Sequence, residues 1–351
     1  MQKKIIALAI ASAMTVPAMT YAAEASVSGQ VNMSVDIQKD GMAPQGTSNN
    51  LTSNQSRLIF KGSEDLGSGN SAIWQLDNRF NADTGTSSAT GTSAAIWSGN
   101  TFLGMQSNTM GTLRVGIMDS AYKSSTRNLD VFFDVAGDNR AGVGAANGGG
   151  LLTHDKRYAN AMNYNSPNMG GLSVAASTAF GSENAASGDT KASLYSLAGM
   201  YSMDAIYATL AYETLKYGTV ANGTLTGAAG KETKALKVGA GFKTDAFTVN
   251  AVIERPTEKA GTAAAGVSTT NFYLGGSFAL GSADSVRAAF TKRGATSGAT
   301  NDAKQYAIGY AHDMSKATSV YVTYVKTTDN TTVPAAAADP SALSFGMKHS
   351  F

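Results

Sequence analysis

Cysteine is absent from this 351-residue chain, proline occurs six times, and charged residues make up only 15% of it. Without cysteine there is no disulfide scaffold, no iron–sulfur cluster and no cysteine-ligated zinc. The charged share lies well below the ~25% of an ordinary soluble domain. No run of 18 or more apolar residues follows the N-terminus, which excludes a bundle of membrane-spanning helices. Gly, Ala, Ser, Thr and Asn replace the missing charge, while the hydrophobic share stays at an ordinary 43%. A disordered chain does not have that composition.

The first 22 residues read as an export signal. Lys3 and Lys4 supply a positive start, Ile5 to Val16 a short apolar core, and Thr20 and Ala22 the small residues that set cleavage after Ala22. Residues 23–351 then form one domain. Without the signal, 25 basic residues face 25 acidic ones. A neutral chain has no global field to draw it to nucleic acid or an anionic surface, so no nucleic-acid partner is expected.

Period-two alternation dominates the rest. Val27, Gly29, Val31, Met33, Val35 and Ile37 alternate with Ser28, Gln30, Asn32, Ser34, Asp36 and Gln38. That is a strand with one apolar face. The same pattern recurs around Leu58–Phe60, Ala72–Phe80, Leu113–Ile117, Leu172–Phe180, Ile206–Tyr212, Phe247–Ile253, Tyr306–Tyr310 and Leu343–Phe351. Helical patterns do not alternate with these strands, which argues against a parallel βαβ domain. Seven short turns alternate with eight longer polar stretches, at 39–55, 81–99, 119–156, 182–191, 217–233, 256–268, 294–302 and 327–340. About 16 strands result. The expected fold is all-β: a 16-stranded antiparallel transmembrane β-barrel, with both termini at the short-turn end.

A soluble sandwich alternates too. Three features favour the membrane: apolar segments about ten residues long, Tyr and Phe near strand ends, and polar faces rich in Ser, Thr and Gly. An arginine facing lipid at mid-membrane costs ~2–4 kcal/mol. Arg57, Arg79, Arg114, Lys237, Arg287 and Arg293 share the polar face and are expected to line the lumen or its rim. Lys292 and Lys326 fall on the other face near strand ends, where a long stem reaches the interface.

At this point the residues carry a resemblance. Ser56–Gly67, Ala72-Ile73-Trp74-Gln75, Gly111–Gly116, Asn163–Pro167, Met314-Ser315-Lys316 and the terminal Gly346–Phe351 keep one order along the chain. Together they resemble the trimeric general-diffusion porins of Gram-negative bacteria, of the neisserial and β-proteobacterial type. The pattern departs at Ile59, where glycine is usual, and at Ala317, where arginine is usual.

The resemblance implies a homotrimer surrounded by outer-membrane lipid, with the third long connection folded into the pore. Small hydrophilic solutes and ions would diffuse passively through a water-filled lumen. It also implies a constriction in which loop acids oppose a basic wall. The wall candidates are Arg57, Lys61, Arg79, Arg114 and Arg157. The loop candidates are Asp130, Asp134 and Asp138, with Arg127 and Arg140. This points to weak selectivity, tilted toward anions. The last strand, with Leu343, Phe345, Met347 and Phe351, fits the signal that the barrel-assembly machinery reads.

No catalytic or cofactor pattern stands out. His154, His312 and His349 lack metal-ligand spacing, and His154 reads as a surface imidazole. Neither a nucleophile elbow nor a phosphate-binding glycine loop appears, so neither enzyme activity nor a cofactor is expected. Two other functions remain open on this reading: a substrate-specific channel on the same fold, and a non-conducting adhesin or structural barrel.

Overall fold

In this computed structural model the described residues are 24–39, 46–87, 96–140, 151–152, 154–181, 192–218, 230–260, 266–296, 302–329 and 339–351. The export signal and Ala22 lie outside them. The described residues form one antiparallel sheet that closes on itself. Its strands are β1 (Glu24–Lys39), β2 (Thr47–Ser53 and Arg57–Gly67), β3 (Asn70–Asn81), β4 (Thr101–Ser107), β5 (Gly111–Asp119), β6 (Arg157–Asn165), β7 (Leu172–Gly181) and β8 (Ala192–Met203). They continue as β9 (Ile206–Lys216), β10 (Glu232–Lys243), β11 (Phe247–Lys259), β12 (Asn271–Ala279), β13 (Asp284–Arg293), β14 (Ala303–Asp313), β15 (Thr318–Asp329) and β16 (Ser341–Ser350).

The two halves of β2 count as one strand because both pair with β1, the first along Met33–Lys39 and the second along Glu24–Gln30. Closure comes from β1 against β16, from Gln30 opposite Ser350 to Lys39 opposite Ser341. A closed barrel leaves no sheet edge unpaired, which lipid would not tolerate.

Alternation sets the two faces. On β1, Asn32, Ser34 and Asp36 are buried within the barrel while Val31, Val35 and Ile37 face outward. Leu103, Tyr195, Leu210 and Ile308 are likewise more than half exposed on the outer wall. In water such a surface would aggregate; in lipid it is the driving face.

All seven short turns fall where the alternation breaks. Asp204-Ala205 is the tightest, with Met203 paired to Ile206 and Asp204 at φ 50. The long connections are shorter than the sequence pattern suggests. Thr47–Ser53 is paired strand, not loop. Likewise, β11 and β15 run on to Lys259 and Asp329. Above the lipid both faces of a strand meet water, so nothing selects alternation and the strand is invisible to a period-two reading.

Candidate functional site

The third long connection begins at Ser120, whose hydroxyl accepts the Lys123 N–H and starts the one-turn helix α1 (Ala121–Ser124). From there the segment follows the inner wall. The N–H groups of Ala121 and Tyr122 donate to the hydroxyls of Ser177 on β7 and Ser196 on β8. Asn250 on β11 donates to the Leu129 carbonyl, and the Val131 N–H donates to the Tyr273 hydroxyl on β12. Gln305 on β14 donates to the Gly137 carbonyl, and Asn32 on β1 to that of Asp134. Half the barrel's circumference thus supplies hydrogen bonds that an irregular buried backbone otherwise lacks.

Small inward residues make room for it. Ala175, Ala198, Ala211 and Ala235 lie under α1. A Cβ on Gly239 would sit 2.8 Å from Leu129, and one on Gly309 would sit 3.0 Å from Phe132. Tyr122, Leu129 and Phe132 are accordingly buried.

The segment leaves a basic cluster facing β2, β3, β5 and β6. At its centre is Asp119, at the end of β5. Arg127 Nη1 lies 2.6 Å from its carboxylate, and Lys123 Nζ and Arg157 Nη2 each lie 3.1 Å away. Arg57 pairs with Asp134, to which Gln30 also donates. Arg79 donates to the Gln55 side chain at 2.6 Å and lies 3.8 Å from Asp77. Arg127 also covers the Phe133 ring at 4.6 Å. Gln55 and Asp134 both occupy the left-handed region, at φ 58 and 61. Strain of this kind in non-glycine residues gathers where side-chain placement is functional. A cavity of ≈ 460 Å³ opens here, lined in part by Gln38, Gln55, Arg79, Lys123, Arg127 and Asp134.

Arg140, Asp36 and Asp138 also line this cavity, so six cations (Arg57, Arg79, Lys123, Arg127, Arg140, Arg157) meet five carboxylates (Asp36, Asp77, Asp119, Asp134, Asp138). Packed cations with too few partners raise one another's energy, and a mobile anion relieves it.

The loop acids do not mirror the expected arrangement. Only Asp134 meets the basic wall. Asp130 accepts the N–H groups of Phe132 and Asn139 and the Tyr273 hydroxyl; Asp138 accepts those of Asp134 and Arg140. These two carboxylates tie the segment's own turns, because buried N–H groups there need acceptors. Burial, and then the Asp138 charge, push the Asp130 carboxyl up to about 7. Burial also raises Asp138. Arg140 pairs with Asp155 at 2.7 Å and also lines the cavity, as does Asp138. The segment therefore presents Lys123, Arg127 and Arg140 to the opening alongside Asp134 and Asp138.

Arg114 and Lys61 lie nearer the short-turn end. Arg114 stands 5.3 Å over the Phe102 ring and pairs with Asn165, while Lys61 is exposed opposite Ser26. Of the terminal set, Phe345, Met347 and Phe351 face outward, with Leu343 at the same parity; Phe351 bonds Gly29 through both backbone groups.

His154 corrects the surface reading. It is 4% exposed, with Nε2 3.1 Å from Glu213 and its ring edge-on to Tyr122. It belongs to a buried network between segment and wall. Tyr158 donates to Glu213, Tyr122 and Asn271 donate to Glu254, and Lys237 lies 3.5 Å from Glu254, pairs with Asp155 and stands 3.9 Å over the Tyr122 ring. The available signal was Glu213, Lys237 and Glu254, charges at inward parity on three successive strands. Among the described residues no group of three His, Asp or Glu is placed to hold a metal.

Comparison with known proteins agrees with this architecture. Residues 7–332 match the family model described as Gram-negative porin. A major outer membrane protein P.IB of Neisseria lactamica is 28% identical over 179 residues, covering 49% of this chain and 48% of that protein. One from Neisseria gonorrhoeae is 29% identical over 177 residues, covering 49% and 47%. The chain therefore spans about half the length of the curated relatives it matches. The anion-selective porin from Comamonas acidovorans superposes with a TM-score of 0.76 at 20% identity, covering 94% of this chain and 100% of that one. The trimer form of OmpT from Vibrio cholerae gives 0.69 at 13% identity, covering 94% and 100%.

Proposed function

Because this chain belongs to the Gram-negative porin family and is an outer-membrane β-barrel, we propose that it is a passive channel for ions and small hydrophilic solutes. Conduction needs no turnover and no cofactor, and the chain acts as a channel, not an enzyme. The lumen is narrowed by the third connection, and the narrowed zone favours anions. One observation carries the reading: six cations meet five carboxylates in and beside the cavity between segment and wall. A passing anion gains there what a cation loses.

The signal is cleaved after Ala22, and three copies assemble with both termini in the periplasm. Solutes enter from the long-loop side. The alternating end of β16, with Phe345, Met347 and Phe351 outward, serves the assembly machinery as its recognition strand. The purified protein is tested in planar bilayers. Stepwise conductance with a reversal potential on the anion side supports the proposal. Absence of conductance overturns the channel reading and leaves the adhesin or structural barrel.

A further inference from the structure

We propose that Met110, Met169 and Met314, on short turns at the periplasmic rim, form a sacrificial oxidation site: hypochlorous acid converts them to sulfoxides while the barrel stays folded. The inference goes beyond conduction and rests on the short turns lying outside the lipid.

Because the chain has no cysteine, methionine carries its only oxidisable sulfur. The methionines differ in surroundings. Met110 lies between β4 and β5, Met169 between β6 and β7, and Met314 between β14 and β15. They are 68%, 55% and 62% exposed. Met105 and Met347 reach 58% and 50%, but they share the outward face of their strands with Leu103 and Phe345, where lipid covers them. Met118 is 3% exposed and packs with Tyr158, Leu194 and Leu215.

The turns do not need these side chains. Backbone bonds hold each one. The Met169 N–H donates to the Leu172 carbonyl at 2.8 Å, and the Ser315 N–H to the Thr318 carbonyl at 3.1 Å. The Met110 N–H donates to the Ser107 hydroxyl at 3.4 Å, and the Met110 carbonyl accepts the Tyr164 hydroxyl at 2.9 Å. Oxidation at sulfur leaves all of these intact. In the Met118 cluster a sulfoxide would instead place an unpaired polar oxygen in an apolar core. Easily reached thioethers whose oxidation costs the fold little thus sit apart from one whose oxidation would cost it much.

Met203, the last residue of β8, supplies an internal comparison. It is 45% exposed, and its sulfur accepts the Tyr201 hydroxyl at 3.2 Å. That bond engages a sulfur lone pair, so Met203 reacts after the other turn thioethers.

The chemistry is a two-electron oxidation. The thioether sulfur attacks the chlorine of hypochlorous acid, and hydroxide leaves. Water then adds to the chlorosulfonium sulfur and chloride departs. The products are one sulfoxide, one chloride and one net proton: sulfur gives up the electron pair that chlorine takes. A methionine sulfoxide reductase supplied with a dithiol reverses the change, so the site can be used again.

The test is limiting hypochlorous acid, a few molar equivalents, added to the full barrel in lipid nanodiscs and followed by peptide mass spectrometry. Met110, Met169 and Met314 should oxidise about fivefold or more faster than Met105 and Met347, with Met203 behind the turn set and Met118 last. Heat resistance of the barrel should survive oxidation of the turn set, and methionine sulfoxide reductase with dithiothreitol should restore the thioethers. In the variant M110L/M169L/M314L, which keeps apolar side chains of similar size, the same dose should reach Met118 and lower the heat resistance. Met314→Leu alone serves if the triple variant fails to fold. Equal rates at turn and wall methionines would make the turn side chains lipid anchors and overturn the proposal. So would equal dose sensitivity of the wild type and the triple variant. Neither readout depends on conductance, so failure here leaves the channel reading standing, and a non-conducting protein leaves this one standing.

Discussion

Arg127 of the inner segment lies 2.6 Å from Asp119 at the end of β5, so one of the opening's cations is held in place by a wall carboxylate. Asp119 also holds Lys123 and Arg157. It works as an internal counter-ion, and removing it has the opposite sign from removing a cation. A unit charge about 7 Å from a passing ion is worth ~0.6 kcal/mol in water, about threefold in permeability. Because an anion gains what a cation loses, Asp119→Asn should raise the anion-to-cation permeability ratio about sevenfold. Arg79→Glu, a change of two charges, should lower it about fiftyfold. Reversal potentials in a salt gradient measure both. If Arg79→Glu leaves the potential unchanged, Arg79 is not at the ion path.

Lys237 predicts how firmly the segment is held. Its ammonium is buried between Asp155, Glu254 and the Tyr122 ring. Truncating one partner of a buried ion pair leaves an uncompensated charge and costs about 3–5 kcal/mol. Lys237→Met strands Asp155 of the segment and Glu254 of the wall. The segment should then leave the wall part of the time, seen as flicker in single-channel records and faster proteolysis between residues 120 and 156. Tyr122→Phe removes one hydrogen bond to Glu254 and should cost only about 1 kcal/mol. Equal flicker in the two variants would refute this ranking.

Asp130 gives a pH dependence with a definite sign. Its carboxyl titrates at about 7 in the fold and near 4 in an unfolded chain. Between those values the folded protein holds a proton that the unfolded one releases. Stability from this group is thus fully present below about pH 4 and is lost as pH rises through 7. Asp138 shifts the same way, while Lys237 and Arg140 hold Asp155 below the usual carboxylate range despite its burial, outside that window. Hydrogen exchange over residues 130–140 should slow as pH falls from 8 to 5, after correction for the intrinsic rate. Asp130→Asn should flatten the curve; an unaltered slope would exclude Asp130 as its source.

The barrel was legible because lipid enforces a rule that sequence can express. Each strand in contact with lipid must alternate, as Val31, Val35 and Ile37 do against Asn32, Ser34 and Asp36. The internal segment obeys no such rule. Its length shows in the sequence, and so do its acids, but not their direction. Asp130 and Asp138 turn inward because local N–H groups claim them, a choice made by backbone geometry between residues 130 and 140. His154 and Asp155 were missed for a related reason: their partners Glu213 and Lys237 are 59 and 82 positions away in the chain. Only parity on the partner strands hinted at them.

The C-terminus separates assembly from stability. Phe351 exchanges both backbone hydrogen bonds with Gly29, and its ring stacks on His349 at 6.5 Å. A Cβ at Gly29 would fall 2.9 Å from the Phe351 ring, so the ring lies across this glycine at the seam between β1 and β16. Phe351→Ala keeps the backbone bonds and loses only the ring, about 3 kcal/mol if fully buried and less here, because the ring is 55% exposed. A barrel closed by ten further pairs between β1 and β16 should survive that loss. Refolding in detergent should therefore reach near wild-type yield and heat resistance, while the amount inserted in cells falls several-fold. Equal losses in detergent and in cells would make Phe351 a closure residue alone and remove its role as a recognition signal.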